Sequence, residues 1–165
     1  MVPSGAVDDI ETFRDLFGPP VVRSLLDWEA LLRLRPAVTT QVMVSAESIG
    51  GLRTTWYLDE TGAGEVDYAT SSCPPITVAE AAARLHDLDP ARQRHLDATA
   101  RHLGTQAILA PLYRLNHHDL LILDGNHRLV AAYLRGTEVR VLAMILHGPL
   151  DPQVLPDLAF WAPGH

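Results

Sequence analysis

Lysine is absent from this 165-residue chain, so all 13 basic residues are arginine. Schiff-base chemistry and a P-loop lysine therefore drop out of the available mechanisms. The arginines are outnumbered by 20 acidic residues, giving a net charge of -7 and a pI ≈ 5.5. Nonspecific DNA binding needs many cations on one face, so DNA is not an expected partner. Cysteine occurs once, at Cys73, which excludes an intramolecular disulfide framework and a cysteine-based zinc site and fits a reducing compartment. No stretch approaches the ~20 apolar residues of a membrane helix, and residues 1–9 lack a cationic segment followed by an apolar one. A soluble, cytoplasmic protein without a membrane partner is the expectation. The G-x-S-x-G elbow is missing as well, so no Ser-His-Asp arrangement can be argued.

What is present suffices for one compact domain. Hydrophobic residues make up 47% of the chain, and at this length roughly 70% of the unfolded surface is buried on folding, with no need of disulfides or a structural metal. Ile10, Phe13, Leu16 and Phe17 recur at helical spacing before Gly18-Pro19-Pro20. Ser24 with Asp27 resembles a capping box, followed by the stripe Leu25, Trp28, Leu31 and Leu32 and a stop before Pro36. The β-branched runs 38–44 and 53–58, with 65–70 after a Thr61-Gly62-Ala63-Gly64 turn, predict a small antiparallel meander. Residues 71–75 form a linker-like break.

After this break the pattern sharpens. Thr77 and Glu80 make a T-x-x-E capping box, predicting a helix over 77–88. Asp89 and Pro90 open the next helix, with Leu96, Ala100 and Leu103 as its stripe and Gly104 placed to end it in the left-handed conformation. The segments 107–115 and 120–123, joined by Asn116-His117-His118-Asp119, read as a hairpin, and 139–146 reads as a strand buried on both faces. Leu155, Leu158, Phe160 and Trp161 are expected to dock a proline-rich tail. The expected organisation is an N-terminal extension over 1–74, a core over 75–148 and a tail over 149–165.

One segment carries chemistry: Leu121-Ile122-Leu123-Asp124-Gly125-Asn126-His127-Arg128-Leu129. A strand that turns through Asp-Gly-Asn into a helix aims the first helical N–H groups at one point, where the helix dipole adds roughly half a positive charge. Gly125 lets the backbone approach a phosphate, Asn126 can cap or donate, and Arg128 offers a planar fork to oxygen atoms. His127 can donate when charged or exchange a proton near neutrality, and Asp124 can hold Mg²⁺, accept a proton or neutralise Arg128. The same string is also an ordinary turn with an ordinary N-cap. His117-His118 lack a third ligand nearby, so turn histidines are the plainer reading. On the 89–103 helix, His95, Thr99 and His102 share a face, with Arg92 one turn earlier; Arg92 or His95 reaches phosphate only if that face meets the loop. Trp28, Trp56 and Trp161 read as core or tail-docking residues.

Residues 75–147 resemble the ParB/sulfiredoxin superfamily in Gly104, Pro111, the Asp124-Gly125-Asn126-His127-Arg128 box, Ala131-Ala132 and Gly136. The resemblance implies an α/β core with a small mixed sheet flanked by helices, and a nucleotide, ATP or ADP with Mg²⁺, held at the box. Asn126 stands where sulfiredoxins carry their catalytic cysteine, and chromosome-partition proteins carry G-E-R-R where this chain has Gly125-Asn126-His127-Arg128. What remains is nearest to the kinase-like members, with Glu47, Glu60 and Glu65 as unranked candidates for the upstream base. The leading expectation is an enzyme that transfers a phosphoryl group from ATP or ADP to a hydroxyl of a small-molecule substrate. Asp124 and His127 would be its catalytic residues, Gly125, Asn126, His127 and Arg128 its nucleotide ligands, and Asp124 its metal ligand. A non-catalytic nucleotide- or partner-binding module, and a nucleotide-independent acid–base enzyme gripping a carboxylate, are the alternatives. The extra N-terminal elements would build a substrate pocket, a lid or a homodimer surface.

Overall fold

The computed structural model describes residues 9–18, 22–104, 107–136 and 139–164; Pro19 and Pro20, expected to stop the first helix, lie outside them. Six α-helices, six strands and two 3-10 turns are described, arranged around a mixed four-stranded sheet.

The helices start where the sequence supplies caps. Asp9 accepts from the Thr12 amide at 2.8 Å and opens α1 (Ile10–Phe17), which buries Ile10, Phe13 and Phe17 and leaves Leu16 half exposed. The second helix, α2 (Trp28–Leu34), starts later than its sequence predicts: its cap is Asp27, not Ser24. Tertiary bonds explain the delay, because Arg23 N–H donates to Leu123 C=O and Asp27 N–H to Val154 C=O, so the backbone over 23–27 is already committed. The Thr77–Glu80 box forms both of its bonds at the head of α4 (Val78–Ala83), but the helix tightens into a 3-10 turn at Leu85–Asp87 instead of continuing. Asp89 caps α5 (Pro90–His102) through Ala91 N–H. Gly104 does not take the left-handed conformation, since Gly62, Gly64, Gly125, Gly136 and Gly164 are the described glycines with positive φ. Arg135 replaces that cap by donating to the orphan carbonyls of Ala100 and Leu103.

The meander is the expectation that the fold corrects. The strand β1 (Ala37–Met43) does not pair with its sequence neighbours; it joins the main sheet antiparallel to β6 (Val141–His147), from Ala37 opposite His147 to Met43 opposite Val141. A short helix, α3 (Ala46–Gly50), carries the chain away, and β2 (Tyr57–Leu58) and β3 (Glu65–Val66) pair only with each other. The hairpin of β4 (Ile108–Arg114) and β5 (Leu120–Ile122) forms as predicted, and β4 lies parallel to β6, giving the order β1-β6-β4-β5.

Alternation along the strands explains why the apolar runs are uninterrupted. Ile108, Ala110, Leu112, Val141, Ala143 and Ile145 pack with Val78, Leu96, Leu129 and Val130 of the helices α4, α5 and α6 (Asn126–Arg135). Tyr113, Leu121, Met144 and Leu146 face the other way, onto Phe13, Leu31 and the tail residues Leu155 and Leu158. The sheet thus carries a layer on each face. Within β6, Leu142 is an exception to full burial, lying 41% exposed beside half-exposed Val42. Phe160 and Trp161 are only partly buried, whereas Asp157 beside them is 1% exposed.

Candidate functional site

The chain turns from β5 into α6 through Asp124 and Gly125. Gly125 has φ 90° and ψ 18°, a left-handed conformation that an L side chain adopts only under strain, and it serves as the N-cap of α6. A Cβ at this position would lie 3.3 Å from Arg128 Nη2, because the guanidinium folds back over the turn. Gly125 C=O accepts from Leu129 N–H. No side chain caps the first turn of α6, whereas α1, α2, α3, α4 and α5 are closed by Asp9, Asp27, Ser45, Thr77 and Asp89. The leading amides of α6 therefore keep their donor capacity.

Asn126 does not cap. Its Oδ1 accepts from Thr55 N–H at 3.2 Å and its Nδ2 donates to Thr55 Oγ1 at 3.0 Å. This pair of bonds straps the 53–56 segment to the helix start, a segment already bridged to Thr77 and Leu121 through Arg53. The Asn126 amide group is thus spent on structure, and only its backbone N–H is left for a ligand.

Two adjoining clefts open at this corner and share His95 and His127. One, of about 420 Å³, is lined by Arg23, Thr55, Asp124, Gly125, Asn126 and Arg128 among others. The other, of about 500 Å³, lies between β3 and α5 and is lined by Glu65, Asp67, Asp89 and Arg92. The α5 face thus does meet the loop. His95 stacks on His127 with ring centroids 3.8 Å apart, and the Trp56 ring, 3% exposed, is tilted against His127 at 5.0 Å.

Arg92 is consumed by this architecture. Its Nε and Nη2 donate to the Glu65 carboxylate, its guanidinium lies 4.4 Å from the Trp56 ring centroid, and Nη1 faces His127 Nε2 at 3.4 Å. A guanidinium has donors only, so Nε2 accepts and the proton of neutral His127 sits on Nδ1. Burial, then the neighbouring His95 and Arg92, pull the His127 pKa down to about 4, against a smaller upward pull from Glu65. Proton exchange by His127 is displaced from neutrality by that environment. Glu65 also accepts from Asp89 N–H, so of the three glutamates considered as a base it lines the cleft but has its oxygens occupied. Glu47 lies at the start of α3 and Glu60 accepts from Ser72 and Cys73 in the β2–β3 turn, away from both clefts.

Arg128 presents the opposite case. Its guanidinium makes no hydrogen bond among the described residues, and its nearest carboxylate is Asp124, 3.6 Å away, with side chains 45% and 32% exposed. Asp124 likewise accepts no side-chain hydrogen bond among the described residues. The fit to Mg²⁺ is that of a single carboxylate at the cleft mouth, since no group of three His, Cys, Asp or Glu side chains able to hold a metal occurs among the described residues. Mg²⁺ commonly enters such sites on one or two carboxylates plus substrate phosphates. His117 and His118 lie exposed on the hairpin turn, shaped by Asn116 Oδ1, which accepts from His118 and Asp119 amides.

The residues that sequence reasoning missed are Thr55 and Arg23. Neither sits in a motif, and each reaches the cleft through long-range bonds. Comparison with protein-family models, with curated proteins and with solved structures finds no match.

Proposed function

We propose that the corner at Gly125 binds the phosphate of a nucleotide, ATP or ADP with Mg²⁺, and that the protein is a small-molecule phosphotransferase. The observation that carries this reading is the uncapped start of α6 beside a guanidinium with no hydrogen-bond partner among the described residues, in a cleft with room for a ligand. The α/β core and the resemblance of the Asp124–Arg128 box to the ParB/sulfiredoxin superfamily, nearest to its kinase-like members, supply the nucleotide. In this reading the N–H groups of Asn126, His127 and Arg128, with the Arg128 fork, take the phosphate oxygens, and catalysis rests on positioning and charge neutralisation. Asp124, 3.6 Å from Arg128 and without a side-chain hydrogen bond among the described residues, is the carboxylate at that point, suited to hold Mg²⁺ through oxygen or to take the acceptor's proton. Bound Mg²⁺ would supply charge neutralisation on the phosphates. Neutral His127 contributes a wall and an Nδ1 donor, not a base at neutral pH.

Two measurements test this. Nucleotide should raise the melting temperature of the purified protein, as any ligand selective for the folded state does. Incubation with ATP and a panel of hydroxyl-bearing amino acids and metabolites should release ADP only with the true acceptor. A melting shift without turnover favours a regulatory nucleotide-binding module. A shift with carboxylates but not nucleotides favours the acid–base reading and contradicts the kinase reading.

A further inference from the structure

The second arginine of the cleft is Arg23, and nothing in the box motif calls for it. Its backbone N–H donates to Leu123 C=O at 3.0 Å, which places residue 23 beside the strand end that leads into Gly125. Its side chain is gripped from behind: Nε donates to Asp157 Oδ2 at 2.7 Å and Nη2 to Asp157 Oδ1 at 3.1 Å. Asp157 is 1% exposed and its Oδ1 also accepts from the buried Tyr57 hydroxyl at 2.6 Å. A buried ion pair is weak evidence for stability, since apolar residues of similar volume often serve as well or better. Here the pair holds a guanidinium rigidly at the wall of the cleft, with 20% of the side chain exposed. Two of the five donors of Arg23 are used by the tail, and Nη1 has no hydrogen-bond partner among the described residues.

We propose that Arg23 is a second phosphate-binding arm, so that the cleft selects ligands with two adjacent phosphate groups over those with one. This rests on the nucleotide reading of the Gly125 corner. One phosphate sits on the α6 amides and Arg128; the next lies toward Arg23 on the same cleft. The division of labour also assigns parts to both ends of the chain: the segment before β1 supplies the arm, and the tail fixes its angle through Asp157. Pre-organisation of this kind saves the side-chain entropy otherwise lost on binding.

The test is calorimetric titration of ADP and of AMP, each with Mg²⁺, into the parent protein and its variants. The parent should bind ADP at least about tenfold tighter than AMP, because one more charge-assisted contact is made. Arg23→Gln should erase most of that preference by weakening ADP and leaving AMP unchanged, with Arg23→Lys in between; Arg23→Lys keeps a charge against Asp157 and carries the test if Arg23→Gln fails to fold. Tyr57→Phe disturbs the same Asp157 anchor without removing a cleft cation, so it should lower the melting temperature and keep the ADP-to-AMP ratio. If Arg23→Gln and Arg23→Lys behave like Tyr57→Phe, Arg23 is a tail tether and the proposal is overturned. That failure is distinct from failure of the nucleotide reading, in which the parent and Arg128→Ala bind neither nucleotide.

Discussion

Two helix starts line adjoining clefts and are built in opposite ways. At α5, Asp89 closes the first turn, Pro90 removes one amide, and Arg92 spends its donors on Glu65 and faces His127. At α6, the N-cap is a glycine with no side chain to give, and Arg128 lies loosely 3.6 Å from Asp124. The same residue type is therefore structural in one place and available in the other. Burial and pairing, not identity, separate an arginine that holds a wall together from one that can meet a ligand.

The largest way to break this contrast is Arg92→Ala. It strands Glu65, 13% exposed, removes the cation from Trp56 and frees His127. It should cost about 3 kcal/mol in urea denaturation, the scale of a broken, largely buried ion pair. Phosphate affinity at the other helix start should change far less than stability does. Gly125→Ala sharpens the contrast from the α6 side. A left-handed φ of 90° and a Cβ pressed 3.3 Å from Arg128 Nη2 should cost about 1–2 kcal/mol in the same assay.

The stacked histidines between the two starts give a pH signature. His127 is held neutral down to about 4 in the folded protein, whereas the unfolded side chain takes its proton near 6.5. Between these values the unfolded chain binds more protons, so stability falls as pH drops through that window, by at most about 1.4 kcal/mol per unit, and this contribution is flat above it. The slope between pH 6.5 and 4 should shrink in His127→Gln. Asp89→Ala is the mildest change, removing one cap at a cost of about 1 kcal/mol with no effect on ligand affinity.

Local chemistry was legible in the sequence, and long-range chemistry was not. The Thr77–Glu80 box, the Asp89-Pro90 start, the β4–β5 hairpin and the Asp124-Gly125 turn each depend on residues a few positions apart, and each forms. The placement of β1 beside β6 depends on residues about a hundred positions away, which alternation alone cannot choose. Gly104 fails as a left-handed cap because Arg135, on another helix, satisfies the carbonyls it would have served. Asn126 looked like a cap or donor, yet Thr55, seventy-one positions earlier, claims its amide. The box was visible as a string; that Asp157 and Tyr57 anchor Arg23 in the wall beside it has no local signal.

Whether Arg128 and the open start of α6 grip phosphate is decided by calorimetry of ATP with Mg²⁺ on the parent and on Arg128→Ala. The variant should lose about 1.5–3 kcal/mol of binding free energy, the worth of a charge-assisted hydrogen bond, with unfolding stability changed by less than about 0.5 kcal/mol, as for an exposed side chain. Equal ATP affinity in the two proteins would contradict that grip.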